Sequence, residues 1–264
     1  MTTRPVQYDF SGKVVVITGG SRGIGHSMAL GFAAAGAKVA IASRKLESCE
    51  ATVKEIRALG SEGSAHAAHV GKWEDCDRLA DEVYGRWGRA DVLINNAGIS
   101  PLAPSSVETS EELFDKIIGV NLKGPFRLTA LFASRMAAGE GGSIINISST
   151  AAIRPDPETA PYAAAKAGLN ILTVAFAKEY GPKVRVNCIM CGPFHTDISK
   201  GWSRTEDFNR RARRMFPLQR AGEPEEVVGA ALYFASDAAS FTTGAVLTID
   251  GGSAHLIVRT TYES

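Results

Sequence analysis

Thr18-Gly19-Gly20-Ser21-Arg22-Gly23-Ile24-Gly25 joins an apolar run to a helical pattern, and its glycines follow the spacing G-x-x-x-G-x-G. A glycine at a strand end permits a tight turn, and the missing side chains let backbone N–H groups approach a pyrophosphate. The N-terminus of the following helix also attracts that negative charge. Glycine-rich turns also occur for structural reasons, but the strand–turn–helix context favours a dinucleotide site. We predict that its contacts are Gly19, Ser21, Arg22, Gly23, Ile24 and Gly25.

On both sides of this turn, short apolar runs alternate with longer helical patterns. The predicted strands are 13–18, 38–42, 65–70, 92–94, 143–147, 184–190 and 245–249. The predicted helices are 23–35, 46–59, 73–87, 111–136, 160–180 and 223–235. Strands that are apolar almost throughout are typical of a parallel sheet covered on both faces. The alternation therefore predicts an α/β fold: a single doubly wound Rossmann domain over residues 1–264, with about seven parallel strands flanked by helices on both faces.

The bulk composition argues against several classes of protein. The 264 residues are 45% hydrophobic and carry a net charge of +1, which gives no reason to expect a nucleic-acid or acidic-membrane partner. No window is apolar enough for a membrane helix, and residues 1–10 show no secretory signal. Four sparse cysteines are typical of a reducing compartment, so we expect a cytoplasmic protein.

Two of the cysteines, Cys188 and Cys191, form a C-x-x-C pattern. Such a pair can be a redox or metal site. No second ligand pair accompanies it, so we favour two cysteines in a buried strand and predict no metal site.

The end of the second predicted strand bears on the choice of dinucleotide. An acidic residue about twenty positions after the glycine motif would bind the 2′-hydroxyl of NAD. The sequence here is Ser43-Arg44-Lys45, without a carboxylate. Arg44 could pair with a 2′-phosphate, with Arg22 on the other side, because guanidinium groups bind phosphate through a fork of donors. We therefore favour NADP(H) over NAD(H), although Arg44 and Lys45 could also be solvated residues at a strand end.

Tyr162 and Lys166 are four residues apart in an alanine-rich segment, so they share one face of a helix. A free tyrosine has a pKa of ~10, and a nearby ammonium lowers this pKa by favouring the phenolate. Such a group can give or take the proton that accompanies hydride transfer at a carbonyl or alcohol. The spacing alone is weak, because tyrosine and lysine four apart are common on helix surfaces.

Further motifs accompany the glycine turn and this pair. They are Asn95-Asn96-Ala97-Gly98, Asn121 within Gly119-Val120-Asn121-Leu122, and Ser149, thirteen residues before Tyr162. With them the chain resembles the classical short-chain dehydrogenase/reductase family, over a match that runs from Gly12 to Gly252.

The resemblance implies a catalytic tetrad of Asn121, Ser149, Tyr162 and Lys166. Ser149 would polarise the substrate oxygen and Tyr162 would transfer the proton. Lys166 would hold the nicotinamide ribose and lower the tyrosine pKa, and Asn121 would position a water that links Lys166 to solvent. Ser148 is adjacent to Ser149, and the thirteen-residue spacing favours Ser149.

The resemblance also implies cofactor contacts and shows two departures. Asn95 and Gly98 would pack near the adenosine, and Phe194 and Thr196 would contact the nicotinamide amide. Family members often have Asp-Val at the end of the third strand, where the aspartate touches the adenine. This chain has His69-Val70 there, and the histidine could donate or accept one hydrogen bond. Where they have Pro-Gly after the sixth strand, it has Cys191-Gly192.

The resemblance implies that the segment 197–220 covers the substrate. It is rich in arginines, which would suit an anionic substrate such as an acyl thioester, but we favour an amphipathic lid with a solvated basic face. The arginines are Arg204, Arg210, Arg211, Arg213 and Arg214.

The resemblance implies a small-molecule carbonyl or alcohol substrate and leaves several functions open. A 3-oxoacyl reductase, an NAD-dependent sugar or polyol dehydrogenase and a hydroxysteroid dehydrogenase are all compatible with it. A non-catalytic dinucleotide-binding regulator is an alternative from another class, and the complete tetrad argues against it. An epimerase or dehydratase of the extended relatives would usually carry G-x-x-G-x-x-G instead. Family members are by default homotetramers, so we expect a homotetramer or homodimer.

Overall fold

The computed structural model describes residues 8–197 and 199–255. In this part of the chain, parallel strands form one seven-stranded sheet in the order β3-β2-β1-β4-β5-β6-β7. The strands are β1 (Val14–Thr18), β2 (Lys38–Ser43), β3 (Gly63–Ala67), β4 (Val92–Asn95), β5 (Gly142–Ser149), β6 (Val184–Cys191) and β7 (Val246–Ile249). The helices are α1 (Gly23–Ala34), α2 (Leu46–Ala58), α3 (Trp73–Trp87), α4 (Glu111–Ile118), α5 (Gly124–Ala138), α6 (Ala160–Tyr180), α7 (Glu206–Met215) and α8 (Val228–Ala235). The predicted Rossmann fold is confirmed.

Each face of the sheet buries its own apolar cluster. Successive side chains of a strand point to opposite faces, so Ile17 packs with Phe32 of α1 while Val16 packs in the cluster that contains Phe132 of α5. All four side chains are fully buried, and burial of one such side chain stabilises the fold by about 1.5–3 kcal/mol. This two-sided burial explains why the strands are apolar almost throughout.

The third strand begins and ends earlier than predicted. The prediction was 65–70, whereas β3 pairs from Gly63, opposite Val39, to Ala67, opposite Ser43. The register with β2 sets these limits, because the pairing stops where β2 itself ends. His69 and Val70 therefore lie in the loop after β3 rather than within the strand.

The predicted helix 111–136 is interrupted. A π-helical turn, Gly119–Lys123, separates α4 from α5 and contains Asn121. Such turns occur frequently at functional sites. The side-chain amide of Asn121 donates to the carbonyl oxygen of Ile117 at 2.9 Å within this turn. The predicted helix 223–235 also differs, because it begins as a 3₁₀ turn, Pro224–Val227, before α8.

A helix that we did not predict lies within the predicted lid 197–220, of which residue 198 is outside the described residues. Thr205 caps the N-terminus of α7 by accepting from the N–H of Phe208 at 3.2 Å. Acidic residues occupy its first turn and arginines its last, as the helix dipole favours.

The order of the strands creates a crevice at their carboxyl ends. The connections from β1 and from β4 lead to opposite sides of the sheet, and ligands of open α/β sheets bind at such a switch point. The glycine turn follows β1, and Asn96, Ala97 and Gly98 follow β4, so both segments border this crevice. Within residues 8–197 and 199–255, no helix combines the length and the apolar character needed to cross a bilayer.

Candidate active site

A cleft of about 860 Å³ lies at the carboxyl edge of the sheet. It is lined by most of the residues that the sequence singled out, namely Gly19, Ser21, Arg22, Gly23, Ile24, Gly25, Ser43, Arg44, His69, Val70, Gly98, Ser149, Tyr162, Lys166, Phe194 and Thr196. Asn95 and Asn121 do not line it, because both side chains are buried in the core behind it.

The glycine turn forms one wall of the cleft. Gly19 and Gly23 have φ angles of +65° and +54°, which favour glycine. A Cβ on Gly25 would overlap the carbonyl oxygen of Gly19 and the side-chain amide of Asn96. No side chain caps the N-terminus of α1, and its first turn contains no acidic residue. The turn therefore leaves backbone N–H groups and the positive end of a helix free to bind an anion.

Asn96 holds this turn in place, a role that our sequence analysis missed. Its side-chain amide donates to the carbonyl oxygens of Thr18 and Gly19 at 2.9 and 3.1 Å. The Thr18 hydroxyl accepts from the N–H groups of Asn96 and Ala97, both at 3.1 Å. The only signal in the sequence was its place in the same motif as Asn95.

Asn95, expected near the adenosine, instead belongs to a buried polar network. Its amide nitrogen donates to the hydroxyl of Thr129 at 3.0 Å and to Oδ1 of Asn146 at 2.9 Å. Asn146 in turn donates to Thr173 of α6 at 2.9 Å. Alternation along β4 explains the difference, because adjacent asparagines face different surroundings. This network joins β4 and β5 to α5 and α6 behind the cleft.

Hydroxyl and basic groups occupy the part of the cleft beyond the glycine turn. The hydroxyl of Ser21 donates to that of Ser43 at 3.2 Å, and Arg44 and Lys45 line the cleft beside them. Arg22 lies 3.5 Å from Asp197 in an exposed ion pair. Among the described residues, the acidic side chains that line the cleft are Asp156, Glu158 and Asp197, and none of them belongs to β2 or the segment after it.

Ser149, Tyr162 and Lys166 come together at the other end of the cleft. Tyr162 and Lys166 project from the same face of α6, and Lys166 Nζ lies 5.7 Å from the centroid of the Tyr162 ring. Lys166 is buried and donates to the carbonyl oxygen of Ile147 at 2.8 Å. The Ser149 hydroxyl accepts from the N–H of Ala151 at 3.2 Å.

The structure distinguishes the two adjacent serines at the end of β5. Ser148 is buried, and its hydroxyl donates to the backbone carbonyl of Lys166 at 3.2 Å. Ser149 is half-buried and lines the cleft together with Tyr162. Both serines line the cleft, but the Ser148 hydroxyl is already engaged with the protein, which supports Ser149 as the serine available to a substrate.

Burial governs the pKa values of the tyrosine and the lysine. Loss of solvation raises the pKa of Tyr162 to about 12, although the hydrogen bond with Ser149 acts in the opposite direction. Loss of solvation lowers the pKa of Lys166 to about 8, although the thiols of Cys188 and Cys191 act to raise it. The sequence analysis expected Lys166 to lower the pKa of Tyr162, but loss of solvation is the largest cause of its shift, and the shift is upward. Tyr162 is a protonated phenol at neutral pH.

Asn121 lies behind the cleft, next to Lys166. Its amide donates to the carbonyl oxygen of Ile99 at 2.8 Å, and its Oδ1 accepts from the N–H of Ile99 at 3.2 Å. A Cβ on Gly98 would lie 3.0 Å from that Oδ1 and 3.6 Å from Lys166 Nζ. Asn121 thus holds the segment after β4 against the lysine.

The C-x-x-C pattern is structural. Cys188 and Cys191 both lie in β6, three residues apart, so their side chains point to opposite faces of the sheet. Both thiols are free and buried, and burial raises the pKa of each to about 12. Residues 8–197 and 199–255 contain no group of histidine, cysteine and acidic side chains that could hold a metal ion.

The substrate end of the cleft is formed by exposed segments. From the loop after β5, Ala151, Asp156, Glu158 and Thr159 line the cleft, whereas Arg154 does not. Lys116 of α4 and Trp202 lie on the cleft as well.

Among the lid arginines, Arg211 alone lines the cleft. Arg210 pairs with Asp207, and Arg213 pairs with Glu206 at 3.0 Å, both on the exposed surface of α7. Two of the lid arginines are therefore paired with carboxylates of the lid itself, and a third lines the cleft.

Comparisons with known proteins agree with this geometry. A family profile described as "Enoyl-(Acyl carrier protein) reductase" matches residues 19–254. The chain is 38% identical to the 3-oxoacyl-[acyl-carrier-protein] reductase FabG of Thermotoga maritima, over 91% of this chain and 97% of that protein.

Two solved structures with different bound cofactors are also similar. One is a gluconate 5-dehydrogenase from Burkholderia cenocepacia in complex with NADP and tartrate, with a TM-score of 0.90, 30% identity and coverage of 95% of this chain and 98% of that one. The other is a 7α-hydroxysteroid dehydrogenase with NADH and 7-oxo glycochenodeoxycholic acid, with a TM-score of 0.88, 32% identity and coverage of 93% and 96%. Because the cofactors of these two proteins differ, the cofactor of this chain has to be argued from its own residues.

Proposed function

The chain belongs to the short-chain dehydrogenase/reductase family of oxidoreductases, and on that premise we propose that it transfers a hydride between NADP(H) and a carbonyl or alcohol substrate, with Tyr162 as the general acid/base. The observation that carries the proposal is the meeting of Ser149, Tyr162 and Lys166 in the same cleft as the glycine turn.

The residues of the cleft fit a dinucleotide. A Cβ on Gly25 would overlap Gly19 and Asn96, so glycine at this position lets the turn pack tightly at the edge of the cleft. The uncapped N-terminus of α1 supplies N–H donors for a pyrophosphate. Gly19, Ser21, Gly23 and Ile24 would line the phosphate site. Gly98 would pack near the adenosine, and Phe194 and Thr196 near the nicotinamide.

The bound dinucleotide would supply or accept the hydride. For reduction of a carbonyl, Ser149 would donate a hydrogen bond to the substrate oxygen and Tyr162 would donate its proton to the same oxygen. The raised pKa of Tyr162 suits an acid that must be protonated at neutral pH. Lys166 would hold the nicotinamide ribose, and its lowered pKa makes it a group that can pass a proton near neutral pH. Asn121 would position Lys166 and a water between it and solvent.

The preference for NADP(H) rests on Arg44. It lines the cleft after β2, beside the linked hydroxyls of Ser21 and Ser43, and no carboxylate of β2 or the segment after it lines the cleft there. A carboxylate would repel a 2′-phosphate, whereas a guanidinium binds one through a fork of donors. Arg22, whose exposed ion pair with Asp197 is weak, could turn to the same phosphate.

Titration calorimetry with NADPH and NADH tests this preference. We expect wild type to bind NADPH more tightly than NADH. Arg44→Ala should weaken NADPH binding about ten- to a hundredfold, as loss of a charged hydrogen-bonding partner predicts, and leave NADH binding nearly unchanged. Arg57→Ala, an exposed arginine of α2 away from the cleft, is the matched control. Equal affinity of wild type for the two cofactors would contradict the proposal.

A non-catalytic regulator stays the alternative from another class, and a turnover assay separates it from an enzyme. A panel of ketones, sugars and acyl thioesters, followed through NADPH absorbance, would also distinguish a 3-oxoacyl reductase from a sugar, polyol or hydroxysteroid dehydrogenase. No turnover with any class, despite tight cofactor binding, would favour the regulator.

We also propose that α4, α5 and α6 form an interface in a homotetramer or homodimer. These helices pack together, and their outer faces expose Phe114, Phe126, Ile171 and Val174, of which Ile171 is 71% exposed. Clustered apolar exposure of this kind marks interaction surfaces.

A further inference from the structure

The end of the cleft opposite Tyr162 is formed by the loop after β3. Ser149 ends β5, Tyr162 lies in α6, and the glycine turn follows β1, whereas β2 and β3 occupy the far side of the sheet. Under the proposed function, on which this inference rests, phosphates at the glycine turn and nicotinamide near Tyr162 leave the other base of the dinucleotide at the β2–β3 end. Ala68, His69 and Val70 line the cleft there.

Most polar groups of this loop are already engaged with the protein. The N–H of His69 donates to the Asp75 carboxylate at 2.8 Å, which Arg78 holds at 2.9 Å. The N–H of Ala68 donates to the carbonyl oxygen of Ser43 at 2.9 Å. The carbonyl of His69 accepts from the N–H of Lys72 at 2.8 Å. The loop is thus held from both sides before any ligand binds.

The His69 ring is held in one tautomer. The N–H of Gly71 donates to Nδ1 of His69 at 3.1 Å, so Nδ1 is an acceptor and the neutral ring carries its proton on Nε2. A Cβ on Gly71 would lie 2.9 Å from Cε1 of the ring, so glycine at this position makes room for the imidazole. Among the described residues, none accepts a hydrogen bond from Nε2. Nε2 is not buried, and His69 lines the cleft, so this nitrogen is available to a ligand there.

We propose that His69 recognises the base of the dinucleotide as a hydrogen-bond donor, through Nε2–H to a ring nitrogen of the adenine. An aspartate at this position could only accept, and would read the 6-amino group instead. The adenine site of this chain therefore requires a hydrogen-bond acceptor on the base and does not require the 6-amino group. A base whose 6-amino group is replaced by oxygen carries a proton on N1 but keeps N3 and N7 as acceptors for His69.

The test compares the dissociation constants of NADPH and of its hypoxanthine analogue, measured by titration calorimetry at one pH. We expect the constant for the analogue in wild type to be within about threefold of that for NADPH. In His69→Asp, the ratio of the two constants should rise at least about tenfold, because the carboxylate would face the 6-oxygen with two acceptors opposed. His69→Gln, whose amide keeps a donor, should retain the wild-type ratio.

His69→Ala should weaken the binding of both dinucleotides about two- to tenfold, as the loss of one hydrogen bond predicts. Lys72→Gln, in the same loop but off the cleft, should change neither constant. The proposal is overturned if wild type and His69→Asp have the same ratio, or if His69→Ala binds as tightly as wild type. If wild type binds neither dinucleotide, the proposed function itself fails, and a failure confined to the ratio leaves that function intact.

Discussion

The two ends of the cleft are built differently. At the glycine turn, β1 is joined to β4 and the segment after it by buried and part-buried hydrogen bonds, such as those from the Thr18 hydroxyl to the carbonyl oxygen of Ile94 and from Asn96 to Thr18 and Gly19. At the substrate end, the polar contacts of α7 are exposed ion pairs, such as Arg213 with Glu206. Buried contacts specify one geometry because an unpaired buried group is costly, whereas exposed ion pairs contribute little. The cofactor end therefore tolerates little change, while the substrate end can vary around the same catalytic group.

Tyr162 is the proposed catalytic group between the cofactor and the substrate, and its replacement should have the largest effect. In Tyr162→Phe we expect kcat to fall about 10²–10⁴-fold, the contribution of positioned proton transfer, while the dissociation constant of NADPH changes little. Steady-state kinetics and titration calorimetry measure the two quantities. Tyr180→Phe, the same change near the end of the same helix and away from the cleft, is the control. Retained turnover in Tyr162→Phe would refute the assigned role.

A substitution at Gly25 should disturb the tight packing of the cofactor end of the cleft. In Gly25→Ala the new methyl group overlaps the backbone of Gly19 and the amide of Asn96, so we expect the free energy of unfolding to fall by about 1–3 kcal/mol or more. NADPH binding should weaken with it, because the turn must shift. Urea denaturation and titration calorimetry test both effects.

Gly85→Ala in α3 is the matched control for this change, since a Cβ there meets no atom within 4 Å. It should stabilise the protein by up to about 1 kcal/mol through helix propensity. Equal stability of the two variants would show that the glycine turn is not tightly packed.

The buried Lys166 links stability to pH. Its pKa is lowered from 10.5 to about 8, so the folded state loses this proton at lower pH than the unfolded state. Below about pH 8 the lysine is charged in the folded state, and the cost of burying this charge lowers the free energy of unfolding by its full amount. The free energy of unfolding rises again as the pH increases toward 10.5, the pKa of the lysine in the unfolded state. The free energy of unfolding of wild type minus that of Lys166→Met should therefore increase by about 2 kcal/mol between pH ~7.5 and ~9.5.

Urea denaturation of the cofactor-free protein at the two pH values measures this change. The same substitution at Lys54, an exposed lysine of α2, should produce no such movement. A flat difference for Lys166→Met would mean that the lysine is charged in the folded state throughout this range.

The substrate end should show the smallest effect. Because Arg211 faces the cleft and Arg213 is paired on the outer surface, we expect Arg211→Gln to raise KM about three- to tenfold for substrates with a carboxylate. It should leave KM for neutral ketones unchanged, and Arg213→Gln should change neither. If Arg211→Gln leaves all KM values unchanged, the lid is amphipathic cover only, as the sequence alone favoured.

Local patterns in the sequence were sufficient for much of the molecule. The glycine turn, the shared face of Tyr162 and Lys166 and most strand positions depend on backbone conformation and periodicity within a few residues. The errors occurred where a distant segment decides the outcome. The register with β2 ends β3 before His69, and the π-helical turn at Asn121 interrupts what reads as one continuous helix. The motif Asn95-Asn96 also did not indicate which asparagine supports the turn.

The sequence by itself determined that this chain forms a doubly wound sheet with a glycine turn and a Tyr–Lys pair, because these features follow from short-range sterics and apolar periodicity. The tertiary structure decided which member of each adjacent pair is engaged with the protein, as with the buried Ser148, whose hydroxyl is bound to the backbone of Lys166, beside the half-buried Ser149. It also decided that burial raises the pKa of Tyr162, and that Arg211 alone among the lid arginines lines the cleft. Solvation and side-chain direction depend on neighbours far away in the chain, and no local pattern contains them.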